Sequence, residues 1–257
     1  MSPARGDGRP LVIELCGLPG AGKTTVAGDL VSCLADQGVA ARVVDRHLSA
    51  DVSRPLRLSR KATTLARVVA ADPGREVAAA RLLGSGQSNR RDTIALPVQW
   101  WVAKDVLARS RLLTGVAVAE EGLVQALWSA GLRARRASPD ELACLAQTAS
   151  AAAADVVVHL DVPVQVALHR LRSRHSRHSR VQRLDEHEQA AALGLGDTLL
   201  RELLEQWRSR QLSQVLTVDG ESSRIGAHLA STVVDLLGSI DSPPPPREDA
   251  DVRPTST

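Results

Sequence analysis

The string Gly17-Leu-Pro-Gly-Ala-Gly22-Lys23-Thr24 limits what this chain can fold into more than any other stretch. It fits G-x-x-x-x-G-K-[ST] and sits between an apolar run, LVIELC (11–16), and a segment in which Val26, Ala27, Leu30, Val31 and Leu34 recur at helical spacing before Gly38. A strand that turns through glycines into a helix leaves consecutive backbone N–H groups facing one concavity, with the positive end of the helix dipole behind them. Gly17, Gly20 and Gly22 permit the backbone angles and close approach this needs, and Ala21 is small enough to sit among them. Lys23 would neutralise terminal phosphates, the Thr24 hydroxyl would coordinate magnesium, and Thr25 could bond the phosphate behind them. The pattern implies a bound nucleoside triphosphate, with ATP and Mg2+ as the expected cofactors.

A strand–cradle–helix start followed by a second short strand, ARVVD (41–45), is a βαβ unit, and such units build parallel sheets. GVAVA (115–119), DVVVHLDVP (155–163) and VLTVD (215–219) supply three more apolar runs. Helices are expected from about Pro97 to Leu113, from Ser138 as an N-cap toward Ala154, after Pro163, over 195–212 and over 224–237. The fold class is α/β: a P-loop three-layer α/β/α sandwich with a five-stranded parallel sheet and a helical lid. Residues 1–9 read as a loose arm, 10–240 as the domain, with 46–112 as the acceptor region and 168–187 as the lid. From 241 the chain reads DSPPPPREDADVRPTST, which cannot bury apolar area and reads as a disordered tail. Apolar residues make up 44% of the chain, enough for a core, and that core must be aliphatic because Phe and Tyr are absent.

Charge narrows the partners. Lysine occurs only at 23, 61 and 104, so the excess of arginine reads as compositional bias, and a net charge of +3 gives little ground for a nucleic-acid partner. The three cysteines, Cys16, Cys33 and Cys144, lack metal-ligand spacing and read as core thiols in a reducing compartment. No apolar run reaches membrane-spanning length, and the amino-terminal residues lack a signal-peptide core, so a cytoplasmic location is expected. An apolar helix face beside the third strand offers a surface for a homodimer.

A second cluster is cationic. Arg170, Arg172, Arg174, Arg177, Arg180 and Arg183 crowd into fourteen positions, and a helix would put Arg170, Arg174 and Arg177 on one face, away from Leu168 and Leu171. Guanidinium groups so placed repel one another unless an anion lies between them. Closing over a transferring phosphoryl group they would stabilise its charge and exclude water; otherwise this is a solvated basic helix. Acidic partners for the cradle come from two places. Glu120-Glu121-Gly122 follows the third strand, where a carboxylate would hold magnesium or its water shell, and Asp45-Arg46 ends the second strand, where Asp45 could accept a substrate proton and Arg46 bind an anion. A solvated loop and an ordinary turn are the plainer readings of the two. Trp100 and Trp101 fall where an acceptor pocket would be lined, but adjacent helical residues point about 100° apart, so at least one belongs to the core.

Taken together, these segments resemble the nucleoside and nucleotide kinases, thymidylate kinase-like proteins in particular. The resemblance rests on the cradle at 17–25, on His159-Leu-Asp161-Val-Pro163 through Arg172, on Arg183-Leu-Asp185, and on the closing strand and helix at 215–237. It implies a magnesium-dependent transfer of the ATP γ-phosphoryl group to a nucleotide, nucleoside or similar hydroxyl or phosphate acceptor. Lys23, Asp45, Glu120, Glu121, Arg174 and Arg180 would act in catalysis, Arg170 and Arg174 on the donor, and Thr24 with Glu120 on the metal. Where thymidylate kinases carry Asp-Arg-Tyr this chain has Glu120-Glu121-Gly122, which speaks against thymidylate itself. The cradle string also resembles adenylylsulfate kinases, whose lid and closing segments fit less well. Two other classes stay open: a regulatory nucleotide-binding protein with little turnover, and a polynucleotide binder. A GTPase switch is disfavoured because Asn89 is the only asparagine, leaving no N-K-x-D signature.

Overall fold

The computed structural model describes residues 10–44, 54–85, 87, 90–132, 138–174 and 181–240. Five strands, β1 (Leu11–Cys16), β2 (Ala41–Val43), β3 (Val116–Ala119), β4 (Val156–Asp161) and β5 (Gln214–Asp219), form one parallel sheet in the order β2-β3-β1-β4-β5. Every residue of β1 and β3 is buried, which is why both read as continuous apolar runs rather than alternating ones. The register pairs Glu14 with Ala119 on one side of β1 and Cys16 with His159 on the other.

Right-handed crossovers put the helices on two faces according to the direction in which the chain moves across the sheet. Helix α1 (Lys23–Asp36) carries the chain out to β2, and α9 (Ile225–Ile240) packs against it. The opposite layer holds α4 (Arg90–Ser110), α5 (Leu123–Gly131), α6 (Pro139–Thr148) and α8 (Glu186–Ser209), with α2 (Arg54–Ala71) and α3 (Pro73–Gly84) packed outside α4. Helix α7 (Val164–Ser173) joins β4 to a single 3-10 turn at Val181–Arg183. The result is the three-layer α/β architecture expected, with the carboxyl ends of all five strands along one edge.

Several elements differ from expectation, each for a physical reason. Helix α4 begins at Arg90 rather than near Pro97, because the buried stripe Leu96, Trp100, Ala103 and Leu107 continues across the proline and outweighs its missing N–H. Helix α6 has the Ser138 cap with a full capping box to Glu141, but stops at Thr148 instead of running toward Ala154. Helix α8 starts nine residues before 195, because Asp185 and Glu188 form a second capping box. Helix α5 was not anticipated; seven of its nine residues are buried, and so short an apolar run does not by its length declare itself a helix. Strand β2 ends at Val43, two residues short of the expected 41–45. Of the three cysteines only Cys16 is a core thiol, since Cys33 is half-buried and Cys144 is exposed. Trp100 lies in the core, and the Trp101 indole donates to Glu76 Oε2 at 2.8 Å, with Lys104 on the other oxygen of that buried carboxylate. The arm 1–9, the tail 241–257, Asp45, Arg46, Arg177 and Arg180 lie outside the described residues, as do the side chains of Arg54, Arg57, Arg60 and Lys61.

Candidate functional site: a phosphate cradle at the sheet's carboxyl edge

The loop between β1 and α1 wraps tightly. Gly17, Gly20 and Gly22 have φ of 157°, 95° and 93°, and Ala21 N–H donates to the Leu18 carbonyl at 3.0 Å. Gly20 is where the requirement for glycine is sharpest. Its φ disfavours any side chain, and a Cβ there would stand 2.3 Å from the Ala167 carbonyl oxygen on α7. Helix α7 therefore sets one wall of the loop, which ties the segment after β4 to the cradle.

Lys23 opens α1 and folds its ammonium back over the loop, donating to the Gly17 carbonyl at 2.8 Å. Burial lowers its pKa from the ordinary lysine value; Glu121, Cys16 and Glu120 draw it back up, and Arg174 pushes it further down. Two glutamates and one arginine of the expected set thus lie within electrostatic reach of Lys23. The Thr24 hydroxyl donates to Glu120 Oε2 at 2.5 Å, linking the first turn of α1 to the residue that follows β3. Glu120 is half-buried and Glu121 exposed. Among the described residues no group of three His, Cys, Asp or Glu side chains could hold a metal. Two hard oxygens beside a phosphate cradle are nonetheless a donor set that suits magnesium, which keeps several waters and takes the rest of its ligands from the nucleotide.

The arginines do not form the single face expected of them. Helix α7 ends at Ser173, and Arg174 is extended with φ −71° and ψ 132°, so it leaves the helical face that Arg170 occupies. Arg170 donates to the Gly220 carbonyl at 3.3 Å in the turn after β5, and Arg172 bonds the Glu186 carbonyl at 3.1 Å. Of these three, Arg174 is the one whose charge acts on Lys23. Asp185, at the end of the Arg-Leu-Asp string, is occupied as the N-cap of α8. Thr25 is exposed on the first turn of α1.

Three further residues lie beneath the site; Glu14 and Gln125 were not singled out from the sequence, and Gly122 only as the end of the Glu120-Glu121-Gly122 string. Glu14, in the middle of β1, is fully buried and accepts N–H bonds from Leu123 at 3.0 Å and Gln125 at 3.2 Å. Gln125 Oε1 in turn accepts from the Gly17 N–H at 3.3 Å. Gly122, the N-cap of α5, lies so close that a Cβ there would be 2.2 Å from Glu14 Cδ. The signal was a carboxylate in the centre of an otherwise apolar strand, which burial makes costly unless donors meet it. On the same sheet face, burial and Glu14 push the Cys16 thiol up, so it is held as a neutral packing group.

Beyond β4 and β5 a cleft of about 410 Å3 is lined by Asp161, Pro163, Arg201, Thr217, Asp219 and Glu221. Its lining includes neither Lys23 nor Glu120. No helix among the described residues is long and apolar enough to cross a membrane.

No protein-family model matches this chain, and no curated protein does. Among solved structures, a deoxyadenosine kinase from M. mycoides, with dCMP and a flexible dCDP bound, is similar at 13% identity and a TM-score of 0.47. The match covers 89% of this chain and 100% of that one. Similarity of that size leaves the reading of the site on this chain's own geometry.

Proposed function

We propose that the protein is a phosphotransferase: a kinase that moves the γ-phosphoryl group of ATP, with magnesium, to a small nucleotide, nucleoside or similar acceptor. The observation that carries this reading is the Thr24–Glu120 contact, which sets a carboxylate from β3 against the first turn of α1 beside the Gly17–Thr25 cradle. Backbone N–H groups of the cradle and the amino end of α1 would hold the phosphates, and Lys23 would leave the Gly17 carbonyl for them. Thr24 and Glu120 would hold the metal, which when bound neutralises charge on the transferring group. Glu121, whose charge acts on Lys23, would orient it or take an acceptor proton, with Asp45 as the alternative for that second role. Arg174, which follows α7, would close on the phosphates as part of a lid over 168–187, excluding water.

ATP and magnesium, offered with panels of nucleosides, nucleotides and sugars, should give ADP release that one acceptor class stimulates. Lys23→Ala and Arg174→Ala should lose that stimulation. Binding of ATP with no stimulation by any panel member would refute the kinase reading and leave a regulatory nucleotide binder.

A further inference from the structure

Glu14 does no work in the reaction as proposed, yet it is a buried acid at a costly place. Two of its partners, the Leu123 and Gln125 amides, bear on that cost. Gly122 cannot cap α5 with a side chain of its own, and the first amides of a helix otherwise lack acceptors. Glu14 reaches across from β1 and supplies them, accepting from both Leu123 and Gln125, with the negative group at the positive end of the α5 dipole. The Glu120–Gly122 turn is consequently held at both ends: Ala119 is in register with Glu14, and the amides beyond Gly122 are bonded to the Glu14 side chain. From the same first turn of α5, Gln125 returns to β1's own continuation by accepting the Gly17 N–H, the first amide of the cradle.

We propose that Glu14 and Gln125 are positioning residues, a buried polar brace that fixes Glu120 relative to the phosphate cradle through the first turn of α5. The proposal rests on the kinase reading of the site. The two residues divide the task. Gln125 holds the cradle end, so it acts on every ligand that enters the cradle. Glu14 holds the β3 end, so it acts on what Glu120 does, namely to keep a cation beside Thr24.

Calorimetry with ADP, in magnesium and in EDTA, separates the two. Gln125→Met keeps the side chain's length and removes its acceptor; it should weaken ADP about 3–10-fold equally with and without magnesium, the size of one lost hydrogen bond. Glu14→Gln sets an amide group against one of two backbone N–H groups; it should weaken ADP about 3–10-fold in magnesium and leave metal-free ADP affinity within twofold. A purely structural role predicts lower melting temperatures with both affinities unmoved, and that result, measured well below the melting transition, overturns the brace. Amide exchange at Gly17 tests it without nucleotide: protection should fall about tenfold in Gln125→Met, and unchanged protection overturns the proposal. Parent protein that binds no ADP would count against the kinase reading, while the Gly17 exchange result would still decide the brace.

Discussion

Replacing Gly122 by alanine tests the tightest contact beneath the candidate site. The added Cβ would lie 2.2 Å from Glu14 Cδ, 2.3 Å from its Oε2 and 2.6 Å from its Cγ, all inside any van der Waals contact. In an exposed glutamate the side chain would swing away. Here it is fully buried and bonded to two backbone amides, so moving it breaks those bonds in a place water does not reach. Hydrogen bonds to a charged acceptor contribute about 1.5–3 kcal/mol each, so losing both costs roughly 3–6 kcal/mol. At roughly 2–4 °C per kcal/mol for a domain of this size, the melting temperature should fall by about 6–24 °C. Gly74→Ala is the control: nothing lies within 4 Å of its Cβ, in the first turn of α3, and it should hold or gain stability. A double-mutant cycle gives the mechanism. All three nearest atoms to the new Cβ belong to Glu14, so in a Glu14→Ala background Gly122→Ala should cost less than about 1 kcal/mol. A fall of less than about 2 °C in the single variant, or an undiminished cost in the Glu14→Ala background, would refute the reasoning.

The remaining predictions concern the charged groups. Glu120→Gln and Thr24→Ala should each raise the magnesium requirement of nucleotide binding about tenfold or more, with metal-free binding of ADP changed less; equal loss in both conditions would argue against a metal role. Lys23 has its pKa lowered, so the unfolded chain binds its proton more readily and the charged side chain is held at a cost through neutral pH; Lys23→Met should abolish ATP binding while the free protein melts at or above the parent temperature. A fall of more than about 4 °C on that substitution would contradict it. His159 is buried and its pKa is lowered by desolvation, with Asp161 and Asp197 opposing and Arg201 and Arg208 assisting. Its neutral form is therefore the folded one; stability should be full above the ordinary histidine pKa of about 6.5 and decline as pH falls below it, and urea midpoints between pH 7.5 and 5.5 should show a decline that His159→Gln flattens.

The strands, the cradle and α1 were legible because their signals are local. An apolar run bounded by glycine and a helical stripe each fix their own element, and Gly17 through Thr24 fix a backbone shape without help from elsewhere. The caps at Ser138 and Asp185 are equally local, but Ser138 reads as an N-cap from the sequence while Asp185 reads as the end of an Arg-Leu-Asp string, so the expected start of α8 falls nine residues late. What escaped was whatever depended on a partner far along the chain. Helix α4 extends back through Pro97 because of the core packed against Trp100, and a local rule that places proline at the start of a helix has no means of weighing that.

The same distinction runs through the site itself. Lys23 and Thr24 could be named from the motif, and Glu120 from its position after a strand, because each belongs to one element's end. Glu14 and Gln125 belong to none. Each is the anomalous polar residue in an apolar run, LVIELC and LVQALW, and each makes sense only once β1 and α5 are side by side. A buried glutamate on a central strand has few tolerable neighbours: an opposite charge, a metal, or a set of amides without other acceptors. The second element beginning directly after Glu120-Glu121-Gly122 offers the last of these, with a glycine at the point where the carboxylate must pass. The pairing of a strand acid with a glycine-initiated helix on the neighbouring strand is thus a single requirement written in two places. That is why changing either residue should be costly, and why changing both should cost little more than changing Glu14 alone.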